Sequence, residues 1–129
     1  MVSLMLLSHS PKIVEGAKEL ALEMGGEANI VTVGGTKAGT LGADYDNTLE
    51  AMRMAAEQGE VIVLTDLGSA RLTGQMAKDT LDDDLQERVF LYDAALVEGA
   101  LIAAISIAAG QSAEEVLGQL QDYLLPKDE

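Results

Sequence analysis

Four short apolar runs, separated by longer segments of helical period, constrain the fold of this 129-residue chain more than any other feature. The runs have the composition of β-strands, and the segments between them place apolar residues every three or four positions. The runs cover residues 4–7, 29–33, 61–65 and 89–91. Strands that alternate with helices are typical of parallel sheets with crossover connections. We therefore predict an α/β fold, a doubly wound, mainly parallel sheet of about four strands flanked by helices.

Capping residues mark the limits of the first expected helix. Ser10 is the expected N-cap, and Pro11 takes the first helical position, where its missing N–H costs nothing. The glycine pair at residues 25–26 ends the helix. Its apolar stripe comprises Ile13, Val14, Ala17, Leu20, Ala21 and Met24.

Four further helices complete an expected total of five. They are one that starts near Asp44 or Asp46 and stops at Gly59, one over about residues 71–81, one over residues 94–109, and one that opens at Ser112. The helix over residues 94–109 is apolar almost all round, which indicates burial either in the fold or in a subunit interface. Ser112 and Glu115 have the spacing of a capping box.

The charge balance limits the classes of partner. Twenty-two acidic residues against eight basic ones give a formal net charge of −14. Such a chain repels phosphates and anionic lipids, so nucleic-acid and membrane partners are disfavoured, whereas a basic protein partner fits. The acidic residues at 82–84 and 128–129 are expected at the surface or in the tail, where they favour solubility.

Size and residue content favour a single cytoplasmic domain over residues 1–129. A chain of this length buries a core without covalent staples, and the absence of cysteine excludes thiol catalysis and thiolate zinc sites. No basic leader precedes the first strand. The most apolar stretch, residues 96–109, is shorter than the roughly 20 residues that a membrane span requires.

The single histidine, His9, lies where the first strand gives way to the first helix. In an open α/β sheet, ligands bind beyond the carboxyl ends of the strands, close to helix N-termini. An imidazole at that position is suited to act as a nucleophile, a base or a metal ligand. The alternative is a surface or capping histidine.

A carboxylate, Asp66, follows the third strand. First and third strands are commonly neighbours in a doubly wound sheet, so Asp66 and His9 are expected at the same edge. Asp66 then accepts the Nδ1–H of His9, fixes the tautomer and leaves Nε2 as a nucleophile. The alternative role for Asp66 is to cap the following helix, which Ser69 could also do.

Groups suited to a phosphoryl oxygen lie beside this pair. Gly68 permits close backbone approach, Ser69 offers a hydroxyl at a helix start, and Arg71 offers positive charge or is an ordinary solvated side chain. The glycine-rich loop over residues 34–42 lacks the lysine of a Walker motif, and no G-x-G-x-x-G spacing follows the first strand. Direct nucleotide binding is therefore poorly supported, and the glycines of that loop are also explained by a tight turn.

Several of these segments together resemble one protein family. They are Ser8-His9-Ser10-Pro11, the glycine loop with Gly34-Gly35-Thr36, Gly39 and Gly42, the run Asp66-Leu67-Gly68-Ser69-Ala70-Arg71, and Leu96-Val97-Glu98-Gly99-Ala100. In this order they resemble the DhaM family, phosphocarrier subunits of phosphoenolpyruvate-dependent dihydroxyacetone kinases, which is similar to the mannose-type IIA domains of the sugar phosphotransferase system. The likeness spans nearly the whole chain.

The resemblance implies a function and a set of partners. His9 would accept a phosphoryl group on Nε2 from HPr and pass it to ADP on the DhaL subunit, which phosphorylates dihydroxyacetone held by DhaK. Asp66 would orient His9, while Thr36 and Gly39 of the glycine loop and the Gly68-Ser69 turn would surround the transferred group. A homodimer is implied, and neither a cofactor nor a metal is expected.

The chain departs from the family pattern at two places. Ala43-Asp44 stands where a Thr-Ser pair is expected, which removes hydroxyls and adds a carboxylate near a phosphoryl site. Ala95 stands where a proline is expected, at the start of the fourth helix. Longer relatives carry fused HPr-like and enzyme I-like domains, for which 129 residues leave no room. We therefore expect the phosphoryl donor of this chain to be a separate protein.

Three other functions compete with this interpretation. A mannose-type IIA subunit of a sugar transporter is related in fold, and composition does not separate it from a DhaM subunit. Only the details of Gly68-Ser69-Ala70-Arg71 and Glu98-Gly99-Ala100 favour the kinase. A receiver-like signalling domain would be phosphorylated on Asp66, but it requires an acidic pair after the first strand, where this chain has Ser8-His9-Ser10. A noncatalytic binding scaffold would keep its activity without His9.

Overall fold

A four-stranded parallel sheet organises the part of the chain that the computed structural model describes, residues 1–125. The strands are β1 (Val2–Ser8), β2 (Asn29–Gly34), β3 (Glu60–Thr65) and β4 (Val89–Leu91). They lie in the order β2-β1-β3-β4, and all three pairings are parallel. The predicted α/β fold is confirmed. The order reverses between β1 and β3, and the carboxyl ends of two such strands form the usual ligand-binding crevice.

Helices cover both faces of this sheet. They are α1 (Pro11–Met24), α2 (Tyr45–Gln58), α3 (Gly68–Thr80), α4 (Asp83–Gln86), α5 (Leu96–Ala108) and α6 (Ala113–Gln119), followed by a 3₁₀ turn at Gln121–Tyr123. The predicted caps are confirmed at Ser10 and at Ser112, and α2, expected to start near Asp44 or Asp46, is capped by Asp44. Each of the three side chains accepts a backbone N–H. Gly59 ends α2, and Glu115 completes the capping box.

The central strands divide their side chains between two apolar cores. Leu4 and Leu6 pack with α1, α5 and α6 on one face, whereas Met5 and Leu7 pack with α2 and α3 on the other. All four side chains are fully buried. This explains why the strand reads as a continuous apolar run rather than an alternating one, and it makes the strand ends a rigid support.

The predicted apolar stripe of α1 is only half buried. Its small members face the core, whereas Ile13, Leu20 and Met24 are 46%, 48% and 61% exposed. Small residues form the contact because α1 lies close to α5, and Gly25 shows how close. A Cβ on Gly25 would lie 2.5 Å from the backbone carbonyl of Ala104.

The space around Gly25 and Gly16 predicts opposite effects of replacing each glycine with alanine. Gly25→Ala is expected to lower the free energy of unfolding by about 1–3 kcal/mol, because the backbones of α1 and α5 must separate. Gly16 lies inside α1 with nothing within 4 Å of a Cβ, so Gly16→Ala should raise stability by about 0.5–1 kcal/mol. Urea denaturation of both variants measures the difference, and equal midpoints would contradict the packing.

The third helix begins earlier than the predicted range of about 71–81. It spans Gly68–Thr80 and follows Leu67, whose side chain makes no capping bond. The carboxylate of Asp66 accepts the N–H of Leu67 at 2.7 Å. The N–H groups of Ala70 and Arg71 both donate to the carbonyl of Leu67, so the helix has already begun there. Ser69 therefore does not cap the helix but lies in its first turn.

The expected total of five helices is wrong, since α4 forms a single extra turn. Gln86 stabilises it by donating from its side-chain amide to two carbonyls at the end of α3, at 2.9 and 3.1 Å. The acidic residues at 82–84 are exposed, as predicted. Asp128 and Glu129, assigned to an acidic tail, lie outside the described residues.

The apolar helix α5 covers Leu96–Ala108, within the predicted range of 94–109. Its glycine and alanine side pack against the core, whereas Val97 and Ile105 are each 41% exposed. Burial of this helix is therefore incomplete within the described chain. None of the helices in residues 1–125 combines the length and apolarity needed to cross a bilayer.

Ala95, one of the two departures from the family pattern, is the residue that precedes α5. Its N–H donates to the carbonyl of Tyr123 at 2.8 Å. A proline has no N–H to make this bond. Alanine at this position thus joins the start of α5 to the end of the described chain.

Candidate active site

The register of the two central strands brings His9 and Asp66 together. Leu7 of β1 is paired with Thr65 of β3, and the N–H of Asp66 donates to the carbonyl of Leu7 at 3.3 Å. Because the strands are parallel, the residues that follow them emerge at the same edge of the sheet. The expected neighbourhood of His9 and Asp66 is thus present in the structure.

The imidazole of His9 is held by the carboxylate of Asp66. Nδ1 of His9 lies 3.2 Å from Oδ1 of Asp66, and the two side chains are 23% and 14% exposed. An ionised carboxylate only accepts hydrogen bonds, so Nδ1 carries the proton. In the neutral ring Nε2 therefore has a lone pair.

Backbone and hydroxyl donors surround the carboxylate of Asp66. Oδ2 accepts the hydroxyl of Ser8 at 2.7 Å and the N–H of His9 at 3.2 Å, and Oδ1 accepts the N–H of Leu67 at 2.7 Å. Burial alone would raise the pKa of Asp66, but these bonds and that of the His9 ring outweigh it and hold the pKa below its ordinary value. The carboxylate is therefore ionised at neutral pH.

The hydroxyl of Ser69 faces the other nitrogen of the ring. Its Oγ lies 2.6 Å from Nε2 of His9, and with the proton on Nδ1 the hydroxyl is the donor. Nε2 is thus covered by a hydrogen bond in this structure. The same position lies at the start of α3, where the N–H groups of Gly68 and Ser69 have no intrahelical acceptor.

The glycine loop reaches His9 through the backbone. The N–H of Gly42 donates to the carbonyl of His9 at 2.8 Å. The hydroxyl of Thr36 lies 2.7 Å from that of Thr40, so it is used within the loop. Gly39 is exposed, with a φ of 81° and nothing within 4 Å of a Cβ. The structure thus places the loop beside the site but does not direct Thr36 or Gly39 at the imidazole.

Arg71 has an acidic partner. Its Nε donates to Oδ1 of Asp93 at 2.6 Å, and both side chains are about one-third exposed. This ion pair joins α3 to the segment after β4. It also offsets part of the charge that Arg71 would offer to a phosphoryl group.

Asp44, the other departure from the family pattern, has a local role. Its Oδ1 accepts the N–H of Asn47 at 2.9 Å and caps α2. The negative charge is thereby stabilised at a helix N-terminus. The carboxylate added by the Ala43-Asp44 pair is directed at this helix.

Ser8 was missed as a site residue in the sequence analysis. It is the last residue of β1 and is fully buried, and its hydroxyl contacts Asp66. The signal was available: a polar residue ends an apolar strand immediately before the histidine.

Within residues 1–125 no three His, Cys, Asp or Glu side chains form a group that could hold a metal ion.

The lowered pKa of Asp66 predicts a pH dependence of stability. The unfolded group has a pKa of about 3.9, so its contribution is fully present above about pH 4 and is lost as the pH falls through the lower, folded value. The stability difference between the native chain and Asp66→Asn should therefore be constant above about pH 4 and narrow below it. Urea denaturation from pH 2 to 7 measures this, with Asp46→Asn as an exposed control. A difference that widens in acid would contradict the hydrogen bonds described.

Comparisons with known proteins extend these observations. The profile of the EIIA-man family, described as PTS system fructose IIA component, matches residues 3–117. A phosphoryl donor subunit DhaM of PEP-dependent dihydroxyacetone kinase 2 from Listeria innocua is 36% identical over 93% of this chain and 97% of its own length. A DhaM phosphoryl donor subunit from Providencia stuartii is 35% identical over the whole chain, which spans only 28% of that relative.

A solved structure has the same fold. EF1359, a protein of unknown function, is 35% identical in sequence to this chain. Its crystal structure aligns over 100% of both chains, with a TM-score of 0.84. The likeness therefore extends beyond the site to the whole described architecture.

Proposed function

This chain belongs to the EIIA-man family, and from that membership we propose that it is a phosphotransferase subunit that carries a phosphoryl group on Nε2 of His9. The observation that carries the proposal is the orientation of His9. Its ring is fixed by Asp66 on Nδ1, so the lone pair of Nε2 is directed at the start of α3. A positioned imidazole with adjacent N–H donors meets the requirements of phosphoryl transfer.

In the proposed reaction, Nε2 of His9 attacks the phosphorus of a phosphohistidine on the donor. The new N–P bond forms as the donor's N–P bond breaks, and the electron pair of the broken bond leaves with the donor imidazole. The ring of His9 becomes positively charged, and Asp66 stabilises that charge through Nδ1–H. Transfer to the acceptor reverses these steps.

Ser69 has two successive roles in this proposal. Its hydroxyl must turn away from Nε2 before attack, since the lone pair then bonds to phosphorus. It is then close enough to donate to a phosphoryl oxygen, together with the first amides of α3 at Gly68 and Ser69. Thr36, Gly39 and Arg71 remain proposed contacts of the phosphoryl group, and each requires a rearrangement of the hydrogen bonds described or of the exposed loop.

The named relatives suggest the partners. They are phosphoryl donor subunits of dihydroxyacetone kinases, and we propose HPr as the donor, ADP on DhaL as the acceptor, and DhaK as the subunit that holds dihydroxyacetone. Phosphoryl transfer from HPr and to DhaL would place the chain in the cytoplasm.

The two apolar cores on one sheet support a single IIA-like domain over residues 1–129. The exposed Val97 and Ile105 on α5 support a homodimer.

A relay assay separates the proposed acceptor from a sugar-transport acceptor. The chain is labelled with phosphoenolpyruvate, enzyme I and HPr and then mixed with DhaL–ADP, DhaK and dihydroxyacetone, or with a mannose-type IIB domain. We expect dihydroxyacetone phosphate in the first mixture and no transfer in the second. Transfer only to the IIB domain would assign the chain to sugar transport. A chain that takes no label, beside a labelled control carrier, would overturn the phosphocarrier function.

A further inference from the structure

We propose that Ser8 is a positioning residue for phosphoryl transfer, whose hydroxyl fixes the rotation of the Asp66 carboxylate so that Oδ1 faces Nδ1 of His9. This inference rests on the proposed function of His9. It assigns to the fully buried end of β1 a role in the chemistry rather than in packing alone.

The direction of the Ser8 hydrogen bonds follows from the chemistry of their partners. The hydroxyl oxygen accepts the N–H of Ser10 at 3.0 Å. Its single proton is directed at Oδ2 of Asp66, 2.7 Å away, because an ionised carboxylate cannot donate. Ser8 therefore joins the first residue after the histidine to the carboxylate that orients it.

The two oxygens of Asp66 are held by different elements. Oδ1 is fixed by the N–H of Leu67 at 2.7 Å, and Oδ2 by Ser8 at the same distance. The second bond described for Oδ2, from the N–H of His9, is longer at 3.2 Å. Loss of the Ser8 hydroxyl would remove the shorter restraint on Oδ2, and the carboxylate could then rotate away from Nδ1.

Rotation of the carboxylate would act on the nucleophile. When Oδ1 leaves Nδ1, the ring is free to carry its proton on Nε2, and the lone pair needed for attack is then lost. The hydroxyl of Ser8 also helps to lower the pKa of Asp66. The variant without it should therefore need a higher pH to keep Asp66 ionised.

The test compares Ser8→Ala with a matched serine on the same strand. Ser3 is 1% exposed at the other end of β1, where it accepts a hydrogen bond from the side chain of Asn29 at 2.8 Å. We expect Ser8→Ala to slow labelling by HPr about tenfold, the effect of losing one hydrogen bond that acts in the transition state. The pH below which labelling slows should be higher for Ser8→Ala than for the native chain. Ser3→Ala should change neither the rate nor the pH profile.

A second readout needs no phosphoryl donor. Nitrogen-15 NMR of the unphosphorylated chain reports which ring nitrogen of His9 carries the proton. Ser8→Ala should lower the Nδ1–H fraction, and Ser8→Thr, which keeps a hydroxyl, should restore it. If Ser8→Ala fails to fold, Ser8→Cys replaces the hydroxyl with a slightly larger and weaker donor, and it should also lower the Nδ1–H fraction.

The outcomes are distinct. An unchanged tautomer, labelling rate and pH profile in folded Ser8→Ala or Ser8→Cys would overturn the role of Ser8 and leave the function of His9 intact. A native chain that no donor labels would overturn the proposed function, whatever the NMR spectra report about the ring.

Discussion

His9→Ala is expected to reduce labelling by HPr at least about 10⁴-fold, because the substitution removes the atom that bonds to phosphorus. The chain has no second histidine and no cysteine to replace it. The hydroxyl of Ser69 remains, but it loses the imidazole next to it and with that any adjacent base. Quench-flow labelling with radioactive phosphoenolpyruvate measures the rate.

Stability provides the control for His9→Ala. The backbone N–H of residue 9 still donates to Asp66, so the variant loses only the two ring hydrogen bonds, to Asp66 and to Ser69, and the free energy of unfolding should fall by about 1–3 kcal/mol. The variant should therefore still unfold cooperatively, at a moderately lower urea concentration. A folded His9→Ala variant that is labelled as fast as the native chain would exclude His9 as the phosphoryl carrier.

Asp66→Asn is expected to slow labelling by about 10²- to 10⁴-fold. The amide has almost the same size, but its neutral oxygen stabilises the charged ring less. If the NH₂ group faces His9, it also favours the tautomer in which Nε2 carries the proton. Single-turnover rates at pH 7, combined with the NMR tautomer measurement, separate these two effects.

The environment of Asp66 predicts an additional loss of stability for this variant. Hydrogen-bond donors face both oxygens of the Asp66 carboxylate. In Asp66→Asn one of these oxygens becomes an NH₂ group, so the donors on that side lose their acceptor. The free energy of unfolding should fall by about 1–3 kcal/mol. Asp46→Asn removes the same charge from an exposed side chain and should label normally. Labelling of Asp66→Asn within about twofold of the native rate would contradict the orienting role.

Local features of the sequence were the most predictable part of the fold. Ser10 and Ser112 cap helices as expected, and Asp44, one of the two expected starts of α2, caps that helix. These caps were predictable because an N-cap bond spans only two or three residues. The start of α3 was misplaced since no side chain caps it. The extra turn α4 was missed because Gln86 stabilises it through the end of another helix.

The pairing of His9 with Asp66 was predictable from topology alone. Residues that follow adjacent parallel strands share an edge of the sheet, and the first and third strands are commonly neighbours in a doubly wound sheet. Neither the side-chain conformations nor the exact register was needed. This is why the two residues could be brought together from positions 57 apart in the sequence.

The remaining contacts of the site depend on side-chain geometry that no sequence pattern specifies. The bond of Ser69 to Nε2 requires the early start of α3, and the partner of Arg71 is set by the path of the chain after β4. The hydroxyl of Ser8 is directed at Asp66 only because strand β3 lies beside it. These are nonlocal consequences of packing.

The central claim is tested most directly by locating the phosphate on the native chain. After incubation with phosphoenolpyruvate, enzyme I and HPr, two-dimensional phosphorus–proton NMR should place one phosphoryl group on Nε2 of His9. The linkage should be labile in acid and stable in alkali. An alkali-labile acyl phosphate on Asp66, or a phosphate on any atom other than Nε2 of His9, would contradict the account.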